Sequence, residues 1–334
     1  MKLLACLVLP VSLLGAVATI VMAEVGDREV APQWRQVEIT GSPLKRHEHA
    51  FVGIGDRFYA LGGRRVQPVD VFDPATKVWT KGAPPPLELH HFQALHWDGR
   101  VLVAGAFTGK FPAETPVPNF YLYDPAADTW EEGEEIPEHR RRGSAGAVLR
   151  GGKLYLISGL TDGHRSGWVP WFDEYDPATG EWRQLPDCPR ARDHFQAVLV
   201  GEQLVVAGGR RSGEGGSVFA SVIKEVDVYD FESGEWRTLE SPAGDIPTPR
   251  AGTMALAVGQ QVLVIGGESA RKQAHVEVEA LDLESGVWSP WPKLGQGRHA
   301  TQPVLYGGAI YLQAGSVTRG GTETNTLTHL PLRK

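Results

Sequence analysis

Short apolar runs recur along the chain, and each is followed by polar residues rich in glycine, proline and aspartate. Within residues 194–239 there are four such runs, at 194–200, 204–207, 226–230 and 234–239. Runs of four to eight residues bounded by turn residues predict β-strands. Because this four-strand unit recurs six times, the pattern predicts an all-β protein built from repeats.

Tryptophan, aspartate and glycine mark each repeat. Successive repeat tryptophans are 45 to 54 residues apart, and an aspartate stands six residues before each of the last five. The segment between them, DPAADTW at 124–130, is a turn signal between two strands. Glycine ends the second strand of each unit, as at Gly208 and Gly209, and it permits positive φ. The repeat tryptophans are Trp34, Trp79, Trp130, Trp182, Trp236 and Trp288.

A glycine doublet, a spaced tyrosine and tryptophan and a period near 50 residues resemble the kelch repeat, over residues 34 to about 330. The resemblance implies a six-bladed β-propeller with four-stranded blades around a central channel. The sixth unit ends without a tryptophan strand, so we expect segment 34–39 to close the last blade and to remove an exposed edge. The predicted blade units are 46–83, 88–134, 140–186, 190–240, 250–292 and 298–330.

Residues 1–23 differ from the repeats. Lys2 precedes an almost unbroken apolar run, and 21–23 is a small-residue cleavage site. This pattern predicts a secretory signal peptide, with residues 24–334 as the mature propeller in the periplasm or outside the cell. A transmembrane anchor is the alternative, because about 20 apolar residues can span a bilayer. After cleavage we expect no membrane association.

The net charge of −7 gives no support for nucleic-acid binding. Against this acidic background, arginine and histidine recur just before the inner strands and just after the glycines. In a four-stranded meander these two positions lie at the same end of the blade, so we expect them to meet at one mouth of the channel. The kelch resemblance implies the same binding face.

A cationic mouth favours an anionic guest, because arginine presents a planar fork to a carboxylate or phosphate. Long loops after the second strands overhang this mouth, and they carry Phe107, Phe111, Phe219 and Trp168. Trp168 lies outside the repeat positions, so a sugar ring could stack on it. The candidate ligand-binding residues are Arg64, Arg142, Arg192, Arg210, Arg250, Arg298, His49, His299 and Trp168.

Four histidines, His49, His91, His194 and His299, share nearly the same register before the inner strands. Such a set could bind a metal or serve in acid–base chemistry. The residues come from different blades, so sequence spacing cannot test a metal site. Polar lining of a water-filled channel is the simpler interpretation, and we expect no metal or other cofactor.

An exported bacterial kelch propeller is similar to the sialic acid mutarotases of this fold. That resemblance implies interconversion of sugar anomers by one acid and one base. The candidate catalytic residues are Glu268, His194 and His91, with Arg210, Arg250 or Arg142 on the sugar carboxylate. We therefore predict binding of a small anionic sugar or glycan at the mouth, with mutarotase activity as an alternative.

Two further alternatives remain. Kelch propellers commonly serve as protein-interaction modules, and the fold alone does not settle the function. Copper radical oxidases such as galactose oxidase also contain a kelch propeller, and they need a cysteine joined to a tyrosine. Cys188 has no evident tyrosine partner, so the oxidase is the least supported alternative.

Overall fold

A computed structural model describes residues 32–332, so the predicted signal peptide at 1–23 lies outside the described residues. The described chain forms six four-stranded antiparallel sheets, arranged as the blades of a β-propeller. Two short 3-10 helices, Glu138–Arg140 and Glu214–Gly216, lie between strands. Across residues 32–332, no helix is long and apolar enough to cross a membrane.

Each blade is a meander that runs outwards from an inner strand. Blade 1 contains His49–Ile54, Arg57–Gly62, Val69–Asp73 and Val78–Gly82. Blade 2 contains Leu95–Trp97, Arg100–Val103, Asn119–Asp124 and Thr129–Glu135. Blade 3 contains Gly146–Arg150, Lys153–Ile157, Phe172–Asp176 and Glu181–Leu185. Blade 4 contains Ala197–Val200, Gln203–Val206, Asp227–Asp230 and Glu235–Thr238.

The last two blades and two ribbons complete the strand inventory. Blade 5 contains Met254–Val258, Gln261–Ile265, Val278–Asp282 and Val287–Pro290. Blade 6 contains Pro303–Tyr306, Ala309–Gln313, Leu327–Pro331 and, from the other end of the chain, Arg35–Gln36. Two-stranded ribbons are formed by Phe107–Thr108 with Thr115–Pro116 and by Leu160–Asp162 with Ser166–Trp168.

The N-terminal strand closes blade 6, as predicted. Arg35 pairs with His329 and Gln36 with Thr328 in an antiparallel register. The strand is shorter than the predicted segment 34–39. Closure pairs the outer edge of the strand Leu327–Pro331, which would otherwise be exposed.

The repeat tryptophans join neighbouring blades. Nε1 of Trp130 donates to the Ala83 carbonyl at 3.0 Å, and Nε1 of Trp236 donates to the Pro186 carbonyl at 2.8 Å. In both cases the carbonyl belongs to the preceding blade. The same kind of contact is made by Trp34, Trp182 and Trp288. The repeat therefore stabilises the ring as well as the single blade.

The inner strand of blade 4 begins at Ala197 rather than at 194, because the residues before it turn towards the mouth. Asp193 pairs with Arg210 through the backbone, and His194 has φ of 54°. The equivalent residue is left-handed in every blade, with φ between 54° and 60°. These six residues, which we call the left-handed ring, are Glu48, His91, Ser144, His194, Gly252 and Ala300.

Backbone hydrogen bonds tie the left-handed ring together. The N–H of His91 donates to Glu48 at 3.0 Å, and the N–H of Ser144 donates to His91 at 2.9 Å. On the other side of the ring, the N–H of Gly252 donates to the His194 carbonyl and the N–H of Ala300 donates to the Gly252 carbonyl. A left-handed conformation is costly for a residue other than glycine and persists where the surroundings fix it, often at functional sites.

Three glutamines from blades 2, 4 and 6 cross the channel below the ring; we call them the glutamine plug. Gln93 Nε2 donates to the Ala197 carbonyl at 2.9 Å, and Gln93 Oε1 accepts from the N–H groups of Ala197 and Ala147. Gln196 and Gln302 also bond to the backbone of other blades, at the inner strands or just before them. The expected water-filled channel is therefore interrupted, and the mouth has a floor.

Candidate functional site

A cavity of about 440 Å³ lies at the mouth of the propeller, above the left-handed ring. It is lined by His47, Glu48, Arg64, Phe111, His164, Arg210, Val218, Phe219, Glu268, Arg319, Gly320 and Gly321. A smaller cavity of about 40 Å³ lies deeper, and all six ring residues contribute to its lining. We call the larger space the mouth cavity. Its walls come mainly from residues after the second strands and from the long loops, as the topology predicts.

Two predicted arginines reach the mouth cavity. Arg64 Nη2 donates to Glu114 Oε1 at 2.9 Å, and Arg210 Nη1 donates to Glu268 Oε1 at 2.5 Å. Within residues 32–332, Nε and Nη1 of Arg64 and Nη2 of Arg210 make no hydrogen bond. Both guanidinium groups therefore keep N–H donors for a guest.

Two phenylalanines supply apolar surface to the mouth cavity. Two guanidinium groups lie over the Phe219 ring, with Cζ of Arg210 5.1 Å and Cζ of Arg319 5.4 Å from the ring centroid. Phe111 is 56% exposed at the rim, and its ring centroid is 5.2 Å from that of His164. The guanidinium groups stack over an aromatic face, which is a favourable arrangement for arginine.

Two buried carboxylates of this site, Glu268 and Glu114, stay ionised. Burial acts to raise the pKa of Glu268, but His299 and Arg210 beside it outweigh burial and lower the pKa to about 2. Burial also acts to raise the pKa of Glu114, which His164 and Arg64 lower to about 2. At neutral pH both groups accept hydrogen bonds and hold no proton to donate.

Three histidine rings meet beside the mouth cavity. The ring centroids of His91, His164 and His194 are 4.8 to 4.9 Å apart, and all three residues are buried. One ring nitrogen of each lies within 4.8 Å of the others, so this set could hold a metal ion. Burial, followed by the neighbouring histidine and arginine side chains, lowers the pKa of His91 and of His194 well below 6.5. Both imidazoles are therefore neutral.

The predicted catalytic residues are only partly brought together. His91 and His194 are neighbours beside the deeper cavity, whereas Glu268 lines the mouth cavity and pairs with Arg210. His299 lies beside Glu268, with Nε2 3.4 Å from Oε2.

His49, predicted as a ligand-binding residue, lies deeper. His49 Nε2 is 3.0 Å from Oε1 of Gln313, and the residue contributes to the lining of the deeper cavity. The four histidines of the shared register therefore do not form one cluster.

Four predicted ligand-binding arginines do not line the mouth cavity, and this placement corrects the prediction. Arg142 donates to the Ser158 carbonyl at 2.8 Å, and Arg192 donates to the Gly208 carbonyl at 2.8 Å. Each of these carbonyls lies just after the second strand of the same blade. The buried arginines with this contact are Arg46, Arg142, Arg192, Arg250 and Arg298. Their side chains stabilise the blade, because each arginine lies two residues before the left-handed ring and bonds into the sheet.

Trp168 is also absent from the lining of the mouth cavity. Its Nε1 donates to the Ser212 carbonyl at 2.8 Å and attaches the blade 3 ribbon to a loop of blade 4. The polar end of the indole is used in this contact. Phe219 and Phe111 provide the aromatic surface that was expected of Trp168.

Sequence reasoning missed several residues of the site, among them His164, Glu114 and Arg319. They lie on the loops 107–119, 160–170 and 316–325, which differ in length between blades and so have no common register. The available signal was that these loops overhang the mouth. Ionisable residues at their tips were therefore candidates on position alone.

The cysteine and tyrosines do not form an oxidase site. Cys188 is buried in an apolar cluster with Phe195, and burial raises the pKa of its thiol to about 11. No tyrosine of the described chain lines either cavity at the mouth. Nothing in this arrangement supports the cysteine–tyrosine chemistry of the copper radical oxidases.

Comparison with known proteins gives consistent matches. Residues 92–315 match the family described as the KLHDC2/KLHL20/DRC7 Kelch-repeats domain. The chain is 28% identical over 314 residues to Kelch-like protein terF of Aspergillus terreus, covering 86% of this chain and 65% of that protein. It is 26% identical over 258 residues to Kelch-like protein 25 of Xenopus tropicalis, covering 74% of this chain and 41% of that protein. It therefore spans less than two thirds of these relatives.

Among solved structures, the chain is similar to the one titled "Structure of YjhT". The TM-score is 0.71 and the identity is 15%, with 86% of this chain and 96% of that chain covered. At this level of identity the similarity shows the fold alone.

Proposed function

The chain belongs to the kelch-repeat family, and we propose that its mouth cavity binds a small anionic sugar. Kelch propellers are scaffolds for ligand binding or protein interaction, so the function depends on the site. The observation that carries the proposal is the convergence of three guanidinium groups, from Arg64, Arg210 and Arg319, on one cavity. Its volume of about 440 Å³ is typical of small-molecule sites.

The groups around the cavity are complementary to the parts of an acidic sugar. The unused N–H donors of Arg64 and Arg210 suit a carboxylate. The carboxylates of Glu48 and Glu268 accept hydrogen bonds from hydroxyl groups. The face of Phe219 suits the apolar side of a sugar ring. A neutral sugar would use the acceptors and the aromatic face, but it would leave the arginine donors without an anionic partner.

Binding is better supported than mutarotation. Interconversion of anomers needs a proton donor and a proton acceptor near the sugar ring. Glu268 has its pKa lowered to about 2, and His91 and His194 have theirs lowered well below 6.5. These three candidates are therefore proton acceptors at neutral pH, and the set lacks an acid.

A thermal-shift comparison tests the proposal. The purified chain is melted with N-acetylneuraminic acid or glucuronic acid, and with the neutral sugars N-acetylmannosamine or glucose. We expect the acidic sugars to raise Tm more than the neutral ones. Arg64→Gln and Arg319→Gln should remove most of this difference. Arg237→Gln changes an exposed arginine on the outer strand of blade 4 and should preserve it.

Two results would count against the proposal. The first is that no acidic sugar raises Tm, which would favour a protein partner, the alternative that the kelch family supports. The second is that the Arg64 and Arg319 variants behave like the Arg237 variant. That result would place any binding outside the mouth cavity.

We also propose that the protein is exported. The support is the sequence of residues 1–23, with its charged start, apolar run and small-residue cleavage site. Expression of the full chain in a bacterial host, followed by fractionation and intact-mass measurement, tests this. The expected product begins at Glu24 and lies outside the cytoplasm. A membrane-bound product that retains residues 1–23 would indicate the anchor instead.

A further inference from the structure

Two histidines beside the mouth cavity contact a carboxylate through the same ring nitrogen. Nδ1 of His194 is 2.5 Å from Oδ1 of Asp193. Nδ1 of His164 is 3.0 Å from Oε1 of Glu114. A carboxylate beside Nδ1 favours the tautomer that carries the proton on Nδ1 and the lone pair on Nε2.

His91 has the same tautomer for a different reason. Nε2 of His90 is 3.1 Å from the carbonyl oxygen of Gly109, so this Nε2 carries the proton and donates. Nδ1 of His90 is then an acceptor, and it lies 2.6 Å from Nδ1 of His91. His91 Nδ1 must be the donor in this contact. Nε2 is therefore the unprotonated nitrogen of His91 as well. It lies 3.4 Å from Nη2 of Arg64, a long contact that a metal ion would replace.

Two of these lone pairs face each other. Nε2 of His164 and Nε2 of His194 are 3.0 Å apart, and without a proton or a cation between them this contact is repulsive. In a tetrahedral zinc site with Zn–N bonds of about 2.0–2.1 Å, ligand nitrogens are about 3.3 Å apart. The observed separation is close to this value. His91 completes a set with one nitrogen of each ring within 4.8 Å.

Carboxylates also surround the cluster. Besides Asp193 and Glu114, which contact Nδ1 of His194 and of His164, Oε2 of Glu48 lies 3.3 Å from Nε2 of His91. A carboxylate that contacts the second ring nitrogen of a histidine ligand is a common feature of metal sites.

We propose that His91, His164 and His194 bind one divalent transition-metal ion of the zinc class through their Nε2 atoms. Asp193, Glu114 and His90 contact the Nδ1 atoms of the three rings and orient them. They are the outer partners of the site, that is, residues that contact the metal ligands and not the metal. Three imidazoles with an open position are a donor set that zinc and related metals take. Because His164 also lines the mouth cavity, the open position faces that cavity. The site is independent of the proposed sugar, since the metal can bind to the chain alone.

Metal titration of the purified full chain tests the site. The protein is stripped with a chelator, incubated with Zn²⁺ or Co²⁺, passed through a desalting column and analysed for metal content. We expect one ion per chain and, with Co²⁺, visible absorption bands of a tetrahedral site. His164→Gln removes one of the three ligands. It should weaken metal binding by more than about 100-fold, because loss of an outer partner alone typically weakens binding by about 10–100-fold.

Two further variants make the test specific. Glu114→Gln removes an outer partner only, and we expect it to weaken the site by about 10–100-fold. His275→Gln is the matched control, because His275 is a buried histidine whose ring nitrogens contact Glu277 and Ser269 outside the cluster. It should bind metal like the wild type.

The proposal is overturned if the wild-type chain retains no metal after desalting. In that case a proton occupies the space between His164 and His194. It is also overturned if His164→Gln binds metal as tightly as the His275 control. Thermal melting of each variant verifies that the protein remains folded.

Discussion

The glutamine plug gives the sharpest prediction about the fold. Replacing Gln93 with leucine keeps the approximate size of the side chain but removes its three hydrogen bonds to Ala197 and Ala147. Two backbone N–H groups and one carbonyl then lose their partners inside the protein. Each such group costs about 1–3 kcal/mol when it is left unsatisfied. The leucine recovers about 1.5–3 kcal/mol by burying apolar surface.

The three groups together cost about 6 kcal/mol at the midpoint of this range, so the expected net loss for Gln93→Leu is about 4 kcal/mol of unfolding free energy. With the entropy of unfolding typical for a chain of this size, Tm should fall by roughly 6 °C. Denaturant titration and calorimetry measure both quantities. Gln260→Leu is the control, because Gln260 is exposed in a turn and its replacement should change stability by less than about 0.5 kcal/mol. If Gln93→Leu matches this control, the channel is not closed by the glutamine and water satisfies the backbone.

Three other predictions follow from the contacts. Trp236→Phe loses the indole hydrogen bond to the preceding blade and should lower the unfolding free energy by about 0.5–1.5 kcal/mol; no change in denaturant titration would contradict this. Burial acts to raise the pKa of Glu174, but Arg183 and other neighbours lower it from 4.5 to about 2. The ionised Glu174 should therefore stabilise the fold above pH 4.5, and this stabilisation should be lost as pH falls towards 2. In unfolding titrations at a series of pH values, Glu174→Gln should make the decrease in unfolding free energy with falling pH shallower. An unchanged slope would refute this prediction. Arg250→Met leaves Glu279 without its buried partner and should destabilise the fold by about 3–5 kcal/mol, as measured by melting. It should not weaken sugar binding, as measured by titration. A loss of binding without a loss of stability would show that Arg250 is a ligand-binding residue after all.

The propeller could be predicted because its signals are local and repeated. The aspartate turns, the glycines after the second strand and the tryptophans each specify a short piece of backbone, and the repeat of about 50 residues supplies the rest. The closing strand was predictable for the same reason, since Trp34 begins the piece that the last unit lacks. Tertiary packing only shortened this strand, to Arg35–Gln36.

The site was less predictable because it depends on side-chain direction. Arg192 and His194 are two residues apart, yet the arginine bonds into its blade and the histidine lies in the left-handed ring. The sequence does not reveal the positive φ that separates their directions, because the ring contains glutamate, histidine, serine and alanine as well as glycine. His164 and Glu114 were missed because their loops vary in length, and only the folded chain brings them together.

The most direct measurement of the central claim is a calorimetric titration of the purified chain with N-acetylneuraminic acid, alongside the Arg64→Gln and Arg237→Gln variants. Our account predicts one binding event per chain for the wild type and for Arg237→Gln. Loss of a charge-assisted hydrogen bond worth about 1.5–3 kcal/mol predicts at least about tenfold weaker binding for Arg64→Gln. Equal affinity in all three proteins, or no binding of this or any other acidic sugar, would contradict the claim.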